Sequence, residues 1–316
     1  MPELPEVETV RAGLVPHVEG ARVVSVDVRR ASCVRLMAGG ADEFTGRLVG
    51  ATIVTAVRRG KFLWMPLTYQ ADAHAGFNTP TDALSAHLGM SGQFRVHRGA
   101  DIPAPHPHCR TRLVVERDGE RWVIDFLDQR TFGYLHVEDL VATGDGGPGG
   151  HGSSLPALPV SVAHIGRDAL DPMLDVAGAV ASWRRGRRGI KQVVLDQGLV
   201  SGVGNIYADE ALWLAQIHPE RPAEAMSRAQ AQSLLAAASD VMGRALEVGG
   251  TSFDSLYVNV NGESGYFARG LEAYGRAGEP CSRCGALLRR ATVGGRATHW
   301  CAACQRRWAP RGGRAR

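Results

Sequence analysis

Lysine is almost missing from this chain. Of 36 lysine and arginine side chains in 316 residues only two are lysine, Lys61 and Lys191. Where arginine is the default cation, a retained lysine marks a place suited to a compact ammonium on a flexible stem, although chance retention explains either one as well. The chain also has no long apolar run, so no membrane-spanning helix is expected, and no secretory leader is expected either. Cysteine is scarce outside one region. Of six cysteines, four form two Cys-x2-Cys pairs and only Cys33 and Cys109 stand elsewhere, too few for a disulfide scaffold and in keeping with a reducing cytosol. A strong excess of one charge is absent too. A net +4 is too small for the whole surface to attract a polyanion, so such attraction has to come from local clusters.

What is present begins at once, in Met1-Pro2-Glu3-Leu4-Pro5-Glu6-Val7-Glu8. Removal of the initiator methionine would leave Pro2 with a free secondary amine. Such an amine condenses with C1′ of a deoxyribose to give a charged iminium, which displaces the base and acidifies the C2′ proton for β-elimination. An α-amino group titrates near 7.7–8.0, so roughly a tenth is neutral at pH 7, and little activation is needed. Pro5 suits a first helical turn, and Val7, Val10 and Leu14 recur at helical spacing, so a helix would hold Pro2 and Glu3 rigidly. Glu3 is then the natural proton shuttle. An ordinary surface helix with a Pro/Glu cap fits the same residues.

At the other end, Cys281-x2-Cys284 is followed after sixteen residues by Cys301-x2-Cys304. This spacing predicts a zinc ribbon: four thiolates closing a tetrahedral site, structural because no position is left for water. Arg283, Arg289, Arg290 and Arg296 lie within the ribbon, and Arg306, Arg307, Arg311, Arg314 and Arg316 follow it. A cationic ribbon is an electrostatic footprint for phosphates, while an arginine-rich tail is equally a solvated end.

Between these ends the length suggests more than one domain. Alternating runs predict strands at Arg22–Val28, Ile53–Val57, Phe62–Leu67, Leu84–His87, Gln93–Val96, Arg112–Glu116, Trp122–Leu127 and Tyr134–Val137, hence an antiparallel sandwich. Ala142–Ser154 is so glycine-rich that it reads as an unpacked linker or insertion. Beyond it the period becomes helical, at Asp175–Arg184, Ile190–Asp196, Asn205–Ala215 and Ser227–Val248. In Gly202-Val203-Gly204-Asn205-Ile206-Tyr207 the glycines allow close backbone approach and a helix starts near Asn205. With Lys191 upstream, this forms a candidate phosphate clamp.

Several motifs in this order resemble one family, the bacterial formamidopyrimidine-DNA glycosylases of base-excision repair. They are the opening Pro2–Glu8, Arg59-Gly60-Lys61, His87-Leu88-Gly89-Met90-Ser91-Gly92, Asp128-Gln129-Arg130-Thr131-Phe132-Gly133, Gly202–Ala208, and Tyr274-Gly275-Arg276 before the four cysteines. The resemblance spans nearly the whole chain. It implies an α+β multidomain protein: an antiparallel β-sandwich with a flanking amino-terminal helix over 1–141, a Gly/Pro-rich linker at 142–159, a helical helix-two-turn-helix domain with a lesion-capping loop over 160–278, a zinc-ribbon finger at 279–308 and a basic tail at 309–316.

By the same resemblance, Pro2 is the nucleophile, Glu3 the acid/base, and Lys61 belongs with them at the catalytic centre, gripping phosphate. Glu6 and Lys191 support the site, Asn205 and Arg296 hold phosphates, and Met90, Arg130 and Phe132 intercalate. That trio has an independent rationale, because an enzyme that swings a base out must fill the void and hold the orphaned partner. Tyr266, in a capping loop at Gly249–Phe267, is a pocket member. The implied cofactor is one structural Zn²⁺, and the implied partner is double-stranded DNA containing oxidised bases or abasic sites, bound by a monomer in the bacterial cytoplasm and nucleoid.

The expected reaction is excision of 8-oxoguanine opposite cytosine and of formamidopyrimidines, followed by β,δ-elimination. Thr131 departs from the pattern, since many relatives have a second arginine there. Pro103–His108 and 144–154 look like insertions. Competing readings are an endonuclease VIII-like enzyme for oxidised pyrimidines, a damaged-DNA binder without activity, and, least supported, a zinc-ribbon transcription accessory.

Overall fold

The computed structural model describes residues 2–69, 79–98, 102–249 and 270–310. Tyr266, nearly all of the expected capping loop, and Arg311, Arg314 and Arg316 lie outside these residues. Two compact units form, one on the chain up to His164 together with 246–249, and one on Ile165–Ala245 with 270–310.

The first unit opens with helix α1 (Leu4–Val18). Pro5 falls in the first turn, where its missing N–H is not needed, and Leu4, Val7, Val10, Leu14 and Val18 are buried along one face. Then follow β1 (Arg22–Val28), α2 (Gly40–Leu48), β2 (Thr52–Ile53), β3 (Val57–Arg59), β4 (Phe62–Thr68), β5 (Asp82–His87), β6 (Gly92–Arg98), β7 (Cys109–Arg117), β8 (Glu120–Asp128), β9 (Tyr134–Ala142) and β10 (Ala157–Pro159). The strands pair in the order β10-β9-β5-β4-β2-β1-β7-β8-β6, with β3 on β4. Phe94, Leu113, Ile124 and Phe126 from one arm of this path share a core with Leu63, Met65, Leu84 and Leu135 from the other. The sheet therefore folds over on itself, which is the expected sandwich, and α1 contributes Val7, Val10 and Leu14 to the same core. Each such side chain contributes about 1.5–3 kcal/mol on leaving water.

Three features differ from the sequence expectations. The run Ile53–Val57 is split between β2 and β3, because Val54 donates to the Pro66 carbonyl at 2.8 Å and Pro66 has no N–H to return. Helix α2 was not anticipated, since only Phe44 and Leu48 of its nine residues are buried. The glycine-rich stretch is also not an unpacked linker. His151 and Arg58 exchange backbone hydrogen bonds at 3.0 and 2.7 Å, and Arg59 Nε donates to the Gly149 carbonyl at 2.7 Å. A Cβ on Gly150 would collide with the Arg58 carbonyl and the Trp64 ring. Glycine is needed there for close approach to β3 and β4, not for freedom.

Glu138 on β9 shows how this edge is tied down. Its carboxylate accepts from Ser85 Oγ at 2.6 Å and from Ser161 N and Oγ at 2.8 and 2.7 Å, and pairs with His136 Nε2 at 2.9 Å. Burial raises its pKa, but these partners outweigh that and bring it down to about 2 from 4.5. The sign follows: the stabilisation is complete above the unfolded-state value and disappears as pH falls toward 2. Acid unfolding of Glu138→Gln should therefore converge with that of the parent protein below this window and separate from it above.

The second unit contains α3 (Val176–Trp183), α4 (Ile190–Val194), α5 (Asn205–Leu214), α6 (Arg228–Glu247) and a hairpin of β11 (Leu288–Val293) and β12 (Arg296–Cys301). Gln197 staples the turn before α5, accepting the Gly202 N–H at 2.9 Å and donating to the Val203 carbonyl at 2.9 Å. No helix of the described residues is long and apolar enough to cross a membrane.

Candidate active site and metal centre

In the first unit, Pro2 immediately precedes the first turn of α1. Pro2 is buried, and Glu3 and Glu6 are each 3% exposed. The Glu3 N–H donates to Glu6 Oε2 at 2.8 Å, and the Glu3 carbonyl accepts from Val7 N at 3.1 Å. Glu6 thus fixes the backbone that carries Glu3 at the positive end of the helix.

Lys61 lies on the two-residue turn Gly60–Lys61 joining β3 to β4, where Arg59 faces Phe62. Only Gly60 has positive φ, +56°, as a type II′ hairpin turn requires at its first position. The sequence reading missed what joins this hairpin to α1. Glu8 pairs with Arg58 Nε at 2.8 Å and with Arg11 at 2.7 Å, and His151 Nε2 lies 3.5 Å away. Burial raises the Glu8 pKa, but the two guanidiniums outweigh it and leave the group lowered. One carboxylate therefore ties the helix bearing Pro2 and Glu3 to the hairpin bearing Lys61.

Met90, Arg130 and Phe132 are exposed, Met90 at 45% and Phe132 at 55%. They come from two neighbouring turns, β5–β6 and β8–β9, and Arg130 Nη1 lies 3.7 Å from Met90 Sδ. Two apolar side chains are thus held in water beside a guanidinium.

In the second unit Lys191 corrects the sequence reading. It does not face outward but is fully buried, paired with Asp209 Oδ1 at 2.6 Å and donating to Thr298 Oγ1 at 2.9 Å and the Ala297 carbonyl at 3.1 Å. An unpartnered ammonium could not be buried so completely, and Asp209 supplies the countercharge. Asp209 also accepts from His299 N at 2.8 Å. Asn205 is the first residue of α5 and Gly204 its cap; the Asn205 amide donates to the Ala297 carbonyl at 2.9 Å. Lys191 and Asn205 thus both hold the strand that begins with exposed Arg296. Glu210, also missed, accepts the N–H groups of Glu272, Ala273 and Tyr274 at 2.8–2.9 Å. Its pKa is raised, by burial first, with those three bonds opposing.

The four ribbon cysteines converge: their Sγ atoms lie within 4.8 Å of one another. The Trp213 indole donates to Cys281 Sγ at 3.4 Å and the Cys304 N–H to Cys301 Sγ at 3.5 Å. Such N–H donors stabilise thiolate charge, and four soft donors at this spacing fit one tetrahedral Zn²⁺. The site is closed and structural. It is fastened to the end of α5, since Arg283 covers the Trp213 ring at 4.1 Å and buried Gln305 bridges the Cys301 N–H to the Ile217 carbonyl.

Three family models match the chain: the formamidopyrimidine-DNA glycosylase N-terminal domain over residues 1–135, the formamidopyrimidine-DNA glycosylase H2TH domain over 165–256, and a zinc finger found in FPG and IleRS over 278–307. A formamidopyrimidine-DNA glycosylase of Leifsonia xyli is 49% identical over 308 residues, covering 97% of this chain and 100% of that protein. Among solved structures, MutM (Fpg) of Thermus thermophilus is 34% identical with a TM-score of 0.74, covering 96% of this chain and 98% of its own. The Lactococcus lactis Fpg in complex with abasic-site DNA is 28% identical with a TM-score of 0.76, covering 97% and 100%. With this identity across nearly its whole length, the chain belongs to the formamidopyrimidine-DNA glycosylase family.

Proposed function

We infer that this chain is a DNA glycosylase of oxidised-base repair that also cleaves the strand at the resulting abasic site. The observation that carries the reading is the buried Pro2–Glu3 pair at the rigid start of α1, in a chain whose family is shown over nearly its whole length. The Pro2 nitrogen attacks C1′, and as the new C–N bond forms the N-glycosidic bond breaks. The base leaves with that electron pair and takes up the proton lost from the Pro2 nitrogen, and Glu3 delivers its own proton to O4′ as the sugar ring opens to the iminium. The iminium then acidifies C2′–H. Glu3 removes that proton, the 3′ phosphate leaves in β-elimination, and a second elimination releases the 5′ phosphate. Lys61, Asn205 and Arg296 grip phosphates, and Met90, Arg130 and Phe132 fill the void left by the extruded base. Lys191 supports the site indirectly, through the strand bearing Arg296.

Double-stranded DNA with 8-oxoguanine opposite cytosine, with formamidopyrimidines, or with abasic sites is the substrate, bound by a monomer that associates with the nucleoid through this affinity. Incision of matched duplexes tests it. Cleavage of 8-oxoguanine opposite cytosine should exceed that of oxidised thymine and of undamaged DNA. Preference for the pyrimidine lesion moves the chain to the endonuclease VIII-like class, and binding without incision makes it a damage sensor.

Zinc takes no step in this chemistry. Brief EDTA treatment should leave incision unchanged, whereas complete zinc removal should unfold the ribbon, release Arg296 and cost at least about tenfold in DNA affinity, as expected for one lost charged contact. Paired zinc content and DNA binding titrations check this. Full affinity in metal-free protein contradicts it.

A further inference from the structure

We propose that Ser91 and Asp128 are positioning residues that lock the two wedge-bearing turns into one preorganised element for base extrusion. The proposal rests on the glycosylase reading above and deepens it.

The topology sets the turns side by side. Strand β5 pairs with β9 up to His87 opposite Tyr134, and β6 pairs with β8 from Gly92 opposite Asp128. Residues 88–91 and 129–133 are therefore the two adjacent segments crossing from one arm of the folded sheet to the other. Their backbones touch: at Gly89, with φ +59°, a Cβ would lie 2.7 Å from Gly133 N and 2.8 Å from the Phe132 carbonyl carbon. No other residue fits so close to a neighbouring backbone.

Beneath this contact lies Asp128, 1% exposed. Its Oδ1 accepts from Ser91 Oγ at 2.5 Å and from Arg130 N at 3.1 Å, and its Oδ2 accepts from Gly133 N at 2.7 Å. Ser91 Oγ also accepts from Arg130 N at 3.0 Å. One buried carboxylate thus binds both turns, with bonds strengthened by its charge. On the outside, Arg35 donates to the Phe132 and Gly133 carbonyls at 3.0 and 3.1 Å and lies 4.6 Å over the Tyr134 ring.

The enclosed residue is strained. Thr131, between Arg130 and Phe132, sits at φ +57°, a conformation that a β-branched side chain rarely adopts. Strain of this kind persists only where the surroundings over-determine it, and here it holds Arg130 and Phe132 outward in water. A wedge already set in place has no ordering cost on entering the stack.

The test compares two substrates that share the Pro2 chemistry and differ in whether a base must be extruded. Ser91→Ala should lower kcat/KM on duplex 8-oxoguanine about tenfold, the effect of one hydrogen bond to a charged group. Strand cleavage at an abasic site preformed in a single-stranded oligonucleotide should stay within about twofold by the same reasoning, because nothing remains to unstack. Asp128→Asn should show the same split more strongly; if its thermal unfolding shows that it does not fold, Ser91→Ala decides. Equal losses on both substrates, or an unchanged duplex rate in Ser91→Ala, overturn the proposal. A parent protein that cleaves neither substrate overturns the glycosylase reading itself, and this proposal with it.

Discussion

Protein with the Pro2 nitrogen blocked, by retained Met1, is expected to lose strand-cleaving turnover by at least about 10³-fold, on the scale of removing an enzyme nucleophile. Affinity for damaged DNA should stay close to that of processed protein, because the proposed phosphate contacts are made by other side chains and not by the Pro2 nitrogen. The physical reason is narrow. A secondary amine gives an iminium with no N–H to lose, so the charge that drives C2′ deprotonation persists until elimination is complete. Acylation of the same nitrogen by Met1 removes its lone pair from use. Quantitative removal of Met1, checked by intact mass, should restore the rate. Full turnover from protein retaining Met1 would falsify the mechanism while leaving the family assignment untouched.

The second large effect concerns stability. Lys191 and Asp209 are both 0% exposed and meet at 2.6 Å. Asp209→Ala would leave an ammonium buried without its countercharge, at a cost of about 3–5 kcal/mol. The second unit should therefore melt well below its temperature in the parent protein. Replacing both partners with apolar residues, Lys191→Met with Asp209→Leu, should recover most of the loss, since desolvation of both charges is then avoided. Scanning calorimetry of the single and double variants separates the cases. A Lys191→Met protein of parental stability that had lost turnover would instead put the lysine in the chemistry.

How much of this was legible in the sequence depended on whether the governing interaction is local. The zinc site was, because two knuckles of fixed spacing bring their sulfurs together whatever surrounds them. Helix α1 and most strands were, because apolar spacing along a short segment determines which face is buried. Lys191 was not. Its place upstream of the glycine turn suggested a phosphate clamp, while the hydroxyl that holds it, on Thr298, lies 107 residues away. The helix expected to start near Asn205 does start there, but its cap is Gly204, and that the Asn205 side chain turns to β12 was not legible. The glycines of 144–152 looked like freedom, and only their contact with β3 and β4 shows that they serve close approach. Asp128 stood in a recognisable motif, yet nothing local revealed that it gathers two turns. Glu8 stood in the opening motif, but its pairing with Arg58, 50 residues along the chain, required the fold.

The central claim, that Pro2 is the nucleophile, is tested most directly by borohydride reduction of the protein on a duplex with 8-oxoguanine opposite cytosine, followed by mapping of the cross-linked peptide. A stable adduct on the Pro2 nitrogen is the predicted result. An adduct on Lys61 or Lys191, or none from protein shown to lack Met1, would contradict it.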